Sequence, residues 1–202
     1  MKYTDELIIN YPKLTENKTE IESAFEIIKN CFSREKKVLL CGNGGSAADC
    51  EHISGELMKG FLLRRELSDT DKEKFGEIAD KLQYGLPCIP LTSFQALTTA
   101  VSNDTSADMI FAQSVMALGK KDDVLIAMST SGNSKNVLYA AKTAKAIGMQ
   151  VISITGAKVS LLSEISDITI KLPETETYKV QELTLPVYHA LCADIENEFF
   201  GK

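Results

Sequence analysis

Five short, almost unbroken apolar runs constrain this chain more than any other feature: KVLLCG (37–42), LPCIPL (86–91), DDVLIAMS (122–129), MQVISITG (149–156) and SDITIKL (166–172). A strand with one face in water alternates polar and apolar residues, whereas a strand that is apolar throughout is covered on both faces. Stretches of helical spacing separate the runs. A repeated strand–helix–strand pattern joins parallel neighbours and lays helices on both sides of one sheet. The expectation is an α/β fold with a parallel sheet between two helical layers.

The helices can be placed from the same patterning. Leu7, Ile8, Ile21, Ala24, Phe25, Ile28 and Cys31 recur at helical spacing over 4–35, and Pro12 divides them, with the second piece beginning near Thr15. A helix from about Ser46 to Met58 follows the first apolar run. Patterning between about 93 and 118 is interrupted near VSNDTSAD, and further helices are expected at about 134–147, 159–165 and 178–199. FLLRRELSDTDKEKFGEIADKLQYG (61–85) is highly charged and helical in taste, an excursion rather than core. No repeat, low-complexity tract or Pro/Gly/Ser linker divides the chain, so residues 1–202 read as a single domain. In the N-terminal segment (1–35), Ile21, Phe25 and Ile28 form a stripe that can pack on the sheet. Ile8, Ile9 and Phe32 fall outside it and are expected to leave an apolar patch for a second copy to cover.

Charge and composition remove several function classes. Twenty-two basic residues against twenty-eight acidic ones leave a net charge of −6, which argues against a surface that tracks DNA or RNA phosphates. No apolar run approaches the roughly 20 residues of a membrane span. The first residues, MKYTDELIINYPKL, lack the charged-then-apolar order of a signal peptide. Five cysteines, at 31, 41, 50, 88 and 192, form no CxxC pair; Cys41 and Cys88 sit inside apolar runs and read as reduced core thiols, which points to a cytoplasmic protein.

Two loops share one design. CGNGGS (41–46) and STSGNS (129–134) each follow a buried run and precede a helix. Glycine lets the backbone turn sharply, the helix N-terminus presents free N–H groups and partial positive charge, and hydroxyls add donors. Parallel strands send both loops to one sheet edge, where ligands bind. A phosphorylated ligand is expected. The plain alternative has Ser46 and Ser134 merely capping helices. Neither loop carries the GK[ST] of a P-loop, and the first lacks GxGxxG spacing, so ATP and NAD are poor candidates.

The chain has two histidines, each near a plausible partner. His52 and Glu56, four residues apart on a helix, lie about 40° apart on one face. Gln181 and His189 sit on the last helix with Pro186 between them. Three readings stand side by side: a mixed nitrogen–oxygen metal site of His52, Glu56, Gln181 and His189, a metal-free acid/base pair of Glu56 and His189, and a surface His–Glu pair with a core histidine. Asn103-Asp104 has the signature of a turn, and it also suits holding sugar hydroxyls. The Arg64–Arg65 pair lies in the charged excursion, solvated or crossing to a substrate phosphate.

GNGGS, the helix with His52 and Glu56, Asn103-Asp104, STSGNS and the closing Gln181 to His189 together resemble the sedoheptulose 7-phosphate (phosphoheptose) isomerases of the sugar isomerase (SIS) superfamily. The resemblance covers nearly the whole chain outside 61–85. It implies a three-layer, flavodoxin-like sandwich with a five-stranded parallel sheet, and a homotetramer held by the N-terminal helices with active sites between subunits. It places Asn43, Gly44, Gly45, Ser46, Glu56, Asn103, Asp104, Ser129, Thr130, Ser131, Ser134 and Gln181 against the phosphosugar. Glu56 and His189 match the family's proton-transfer residues, and His52, Glu56, Gln181 and His189 match the zinc ligands of its zinc-bearing members.

The chain departs from the family at three points. The excursion at 61–85 is longer than usual, Gly60 stands where an arginine is expected with Lys59, Arg64 or Arg65 as substitutes, and Tyr178 replaces an acidic residue. The function implied is aldose–ketose isomerisation, most directly of sedoheptulose 7-phosphate to a glycero-manno-heptose 7-phosphate. The competing class is a non-catalytic SIS adaptor or phosphosugar-binding module, as in relatives that bind the replication initiator DnaA.

Overall fold

The computed structural model describes residues 1–201. Its centre is a five-stranded sheet of β1 (Val38–Cys41), β2 (Cys88–Pro90), β3 (Val124–Met128), β4 (Gln150–Thr155) and β5 (Ile168–Lys171). All pairings are parallel, in the order β2-β1-β3-β4-β5. The five apolar runs therefore became the five strands. In register, Leu39 lies beside Leu125 and Leu125 beside Val151.

Period-two geometry sends neighbouring strand residues to opposite faces, and each face has its own core. Val38, Leu40, Val124, Ile126, Met128 and Ile152 pack under α1 (Lys2–Asn10), α2 (Lys18–Ser33), α3 (Gly45–Met58) and the final helix. Leu39, Cys41, Leu125, Ala127 and Val151 pack under two further helices, over Ile110–Leu118 and Lys135–Ala146. The remaining helices, α4 (Asp69–Phe75), α5 (Gln95–Asp104) and α8 (Leu161–Ile165), complete the series in which these two are α6 and α7, and α9 spans Thr177–Phe200. All five cysteines are buried and free. Among the described residues no helix is long and apolar enough to cross a membrane.

Three expectations change. The second N-terminal helix begins at Lys18 because Pro12–Asn17 winds as a 3-10 turn with proline at its start. Phe32 is not part of an exposed patch: it is 6% exposed and meets Phe199 edge-on at 6.1 Å between ring centres. Ile9 does stand free, at 77% exposure, while Ile8 packs on the core rim. The stretch 61–85 is helical only over α4 and a 3-10 turn, Gly76–Lys81, and its root belongs to the core. Arg65, Leu67 and Ala79 are buried there. Arg65 can be buried because its Nε donates to Glu196 Oε1 at 2.9 Å and its terminal nitrogens donate to the carbonyls of Leu57 and Glu56.

Pro186 does not break α9, which runs unbroken from Thr177 to Phe200. Proline removes one rung of the ladder, and it sits on the wetter side of the helix beside Glu182 and Leu185. Met1, the N-cap of α1, needs no capping side chain of its own, since Asp194 of α9 accepts the backbone N–H groups of Tyr3 and Thr4 at 3.0 and 2.9 Å.

Candidate active site

The strand order reverses direction between β1 and β3, and in open α/β sheets ligands bind beyond the carboxyl ends of the strands at such a switch point. The two glycine-serine loops leave these two strands. In the first, Gly44 has φ 56° and ψ −119°, a conformation open to glycine and closed to side chains. Gly44, not Ser46, is the N-cap of α3, and no side chain caps that helix. Ser134 holds the N-cap position of α7 but turns its hydroxyl to Ser129 Oγ at 3.0 Å instead of capping. Neither Ser46 nor Ser134 caps its helix through its side chain, and the two N-termini lie at one sheet edge, an arrangement of the kind that accepts an anion.

The second loop is braced from within. Ser129 Oγ accepts from Gly132 N–H at 3.1 Å, and Ser131 Oγ accepts from Asn133 N–H at 3.2 Å. Gly132, at φ 66°, lies so close to Ser160 that a Cβ would come within 2.0 Å of its Oγ. Thr130 is half-buried and Ser131 exposed. The loops are tied together by Asn43 and Asn136, whose amides exchange two hydrogen bonds of 2.9 Å.

Beyond the loops, α3 and α9 bring three titratable side chains together. His52 Nε2 lies 3.1 Å from Glu56 Oε1 and 3.4 Å from His189 Nε2. The His52 and His189 rings meet edge to face at 5.0 Å, and the Phe61 ring lies 5.5 Å from that of His189. Burial, then the neighbouring His52, lowers the pKa of His189, while Glu56 pulls it up. His52 Nδ1 is 2.9 Å from the hydroxyl of Tyr188, which also reaches Asp49 Oδ1 at 3.3 Å. Burial raises the pKa of Asp49 and the Tyr188 bond lowers it; burial likewise raises that of Tyr188.

Three expected members stand apart. Gln181 packs on Gly45, where a Cβ would meet its Nε2 at 2.6 Å; Gly45 precedes His52 by seven residues, roughly 10 Å of helix. Asn103 and Asp104 end α5 in the open, with Asn103 Nδ2 donating to Asp104 Oδ1 at 2.8 Å, and neither bonds a site loop of its own chain among the described residues. As they stand, no three His, Cys, Asp or Glu side chains among the described residues make a ready metal cage.

Comparison with known proteins agrees with this geometry. The SIS domain family model matches residues 2–71 and 73–156. A phosphoheptose isomerase of Burkholderia pseudomallei is 40% identical over 166 residues, covering 82% of this chain and 75% of its own, and one of Helicobacter pylori is 36% identical over 192 residues, covering 92% and 91%. The chain belongs to the phosphoheptose isomerase family. The solved structure of phosphoheptose isomerase GmhA from Neisseria gonorrhoeae superposes with a TM-score of 0.76 at 30% identity, covering 96% of this chain and 93% of that one.

The three candidates for the missing arginine occupy different places. Arg65 is sealed under Glu196, and Arg64 donates to the Asp80 carbonyl at 2.7 Å and pairs with Glu66. Of the three, Lys59 is the one beside Glu56, its Nζ 3.8 Å from Oε2. Tyr178, in place of an acid, is exposed. Sequence reasoning missed Asn136, Tyr188 and Asp49. Asn136 lies two residues past STSGNS and Tyr188 adjoins His189, but only the packing of α3 on α9 shows what they touch.

Proposed function

We propose that this protein is a phosphosugar aldose–ketose isomerase with sedoheptulose 7-phosphate as substrate. The observation that supports the reading is that His52 links Glu56, its neighbour on α3, to His189 of α9, and α3 is the helix whose N-terminus forms half of the phosphate edge. From that N-terminus to His52 is roughly 10 Å, a span that suits a phosphate at one end of an extended heptose and the carbonyl carbon at the other.

The chemistry follows from the side chains. In the ketose, Glu56 takes a proton from C1 while a proton is supplied to the C2 oxygen, giving an enediol. Return of a proton to C2, with loss of the proton on the C1 oxygen, gives the aldose. His189, with its pKa lowered by burial, is suited to move the proton between the two oxygens. Ser129, Thr130, Ser131 and Ser134, with Asn43, Gly44, Gly45 and Ser46, hold the phosphate end, and Lys59 supplies positive charge near the developing oxyanion.

Zinc belongs to this reading as a proposal, with His52, Glu56 and His189 as ligands and Gln181 completing the set by leaving Gly45. The donor spacings of 3.1 and 3.4 Å support it, since ligands about 2.0–2.1 Å from a shared tetrahedral ion stand that far apart. When bound, such an ion would polarise the sugar oxygens. A homotetramer with sites between subunits is supported by exposed Ile9, Met58, Leu62 and Leu185, and by α5, which buries none of its own residues and carries Asn103 and Asp104. Light scattering that gives an active 22.2 kDa monomer overturns it. The net charge of −6 supports the absence of a nucleic-acid role, and the buried free thiols support a cytoplasmic home. Failure of the protein to be retained by an immobilised nucleic acid, and its recovery from the cytoplasmic fraction, are the expected results; retention or export reverses them.

The adaptor alternative is the weaker one, because nothing in phosphosugar binding alone calls for Glu56 beside two imidazoles. NMR of the purified protein with sedoheptulose 7-phosphate tests the choice. Aldose signals are expected; no turnover over a panel of phosphosugars, with and without added zinc, selects the adaptor.

A further inference from the structure

We propose that Phe61 is a positioning residue for His189: its ring backs the imidazole, and the buried root of the 61–85 excursion holds it there. The inference rests on the reading of His189 as the proton carrier.

The placement begins on α9. Glu196 follows His189 by seven residues, so the two side chains leave the helix about 20° apart and roughly 10 Å along its axis. His189 meets His52, while Glu196, 1% exposed, accepts the backbone N–H groups of Phe61, Leu62 and Leu63. One helix face therefore carries both the imidazole and the clamp that fixes Phe61 beside it, with ring centres 5.5 Å apart. Gly60 makes the turn into this clamp possible. A Cβ there would fall 2.2 Å from the Leu63 carbonyl oxygen and 2.5 Å from Gln83 Oε1, so a side chain has no room. Glycine in place of the expected arginine thus goes with the turn that carries Phe61.

The imidazole needs this support. Beside it, α1 and α9 leave a cavity of about 290 Å³, bordered by Tyr3, Glu6, Asn10 and Pro186 as well as by Phe61 and His189. Side chains move between staggered wells, and the cavity gives the His189 ring a second place to go. The rings of His52 and Tyr188 meet it edge to face, each at 5.0 Å, and both belong to α3 and α9. Phe61 is the third ring, and it comes from outside those helices. One aromatic pair shifts a rotamer ratio by roughly two- to tenfold.

Phe61→Ala removes the ring and leaves the clamp, because Glu196 holds backbone N–H groups. Ring-proton NMR of the full chain, as purified and after dialysis against EDTA, reads the imidazole, and a His189→Gln variant assigns the two histidines. In the wild-type protein the His189 ring protons should show Overhauser contacts to both Phe61 and His52. In EDTA-treated Phe61→Ala the contact to His52 should weaken by about twofold or more as a second rotamer fills. With sedoheptulose 7-phosphate, kcat should fall roughly tenfold and KM stay within about twofold, since a misplaced proton carrier slows the chemistry and not the hold on the phosphate. Phe61→Tyr keeps the ring and should restore both readings. If Phe61→Ala does not fold, Phe61→Leu, which keeps bulk without the ring, takes the same measurements. An unchanged His52 contact in a folded variant, a rise in KM alone, or a Phe61→Tyr variant as impaired as Phe61→Ala overturns the inference. The NMR readings need no substrate, so failure of the isomerase reading registers separately, as a wild-type protein without turnover.

Discussion

Arg65 and Glu196 pair at 2.9 Å with both side chains closed to solvent, and Glu196 also accepts the backbone N–H groups of Phe61, Leu62 and Leu63 at 2.6–3.0 Å. Because Arg65 donates in turn to the carbonyls of Glu56 and Leu57, this one pair fastens the turn at 61–65 and the end of α3 to α9. The guanidinium lies 4.7 Å from the Phe200 ring, which shields it further. Arg65→Met leaves a buried carboxylate without its counter-charge, and the expected loss is about 3–5 kcal/mol of stability. Removing Glu196 as well should not restore it, since three N–H groups would lose their acceptor. Denaturant midpoints of the single and double variants check this, and a double variant of wild-type stability would refute it.

Asn136 ties the two phosphate loops through its paired amide bonds with Asn43, and its Oδ1 also accepts from Val137 N–H at 2.9 Å. Asn136→Ala should loosen the phosphate end while leaving Glu56 and His189 in place. At about 1 kcal/mol per hydrogen bond, the expected change is a KM raised roughly tenfold with kcat within a few-fold. Steady-state kinetics separates this from a fall in kcat alone, which would place Asn136 in the chemistry instead.

Zinc content makes a separate prediction. His52, Glu56 and His189 bind a metal only with imidazoles neutral and the carboxylate ionised, so occupancy should fall on acidification. Elemental analysis of protein purified without chelator should find zinc near one equivalent per subunit, with activity lost in EDTA and regained on adding zinc. Full activity in EDTA with the metal gone leaves the acid/base pair working alone.

The fold was legible because the strands are apolar on both faces, a signal carried within each short run. The loops were legible for a similar reason: glycine and serine follow a strand directly, and the sheet topology then brings them to one edge. What the sequence left open depends on which helix packs on which. Arg65 reads as one of two charged residues in a charged stretch until Glu196, 131 residues later, is brought against it. Phe32 reads as exposed until α9 delivers Phe199 to cover it. His52 and His189 share one candidate site in the sequence, but their contact exists only through the pairing of α3 with α9, which also supplies Tyr188.

Proton transfer by Glu56 is the central claim, and solvent exchange measures it most directly. In deuterium oxide the wild-type protein should wash deuterium into C1 of sedoheptulose 7-phosphate as the aldose appears. Glu56→Gln keeps the shape of the side chain but not its basicity, and should slow both processes by at least about 100-fold while the phosphosugar still binds. Exchange and isomerisation at near wild-type rates in Glu56→Gln would contradict the account.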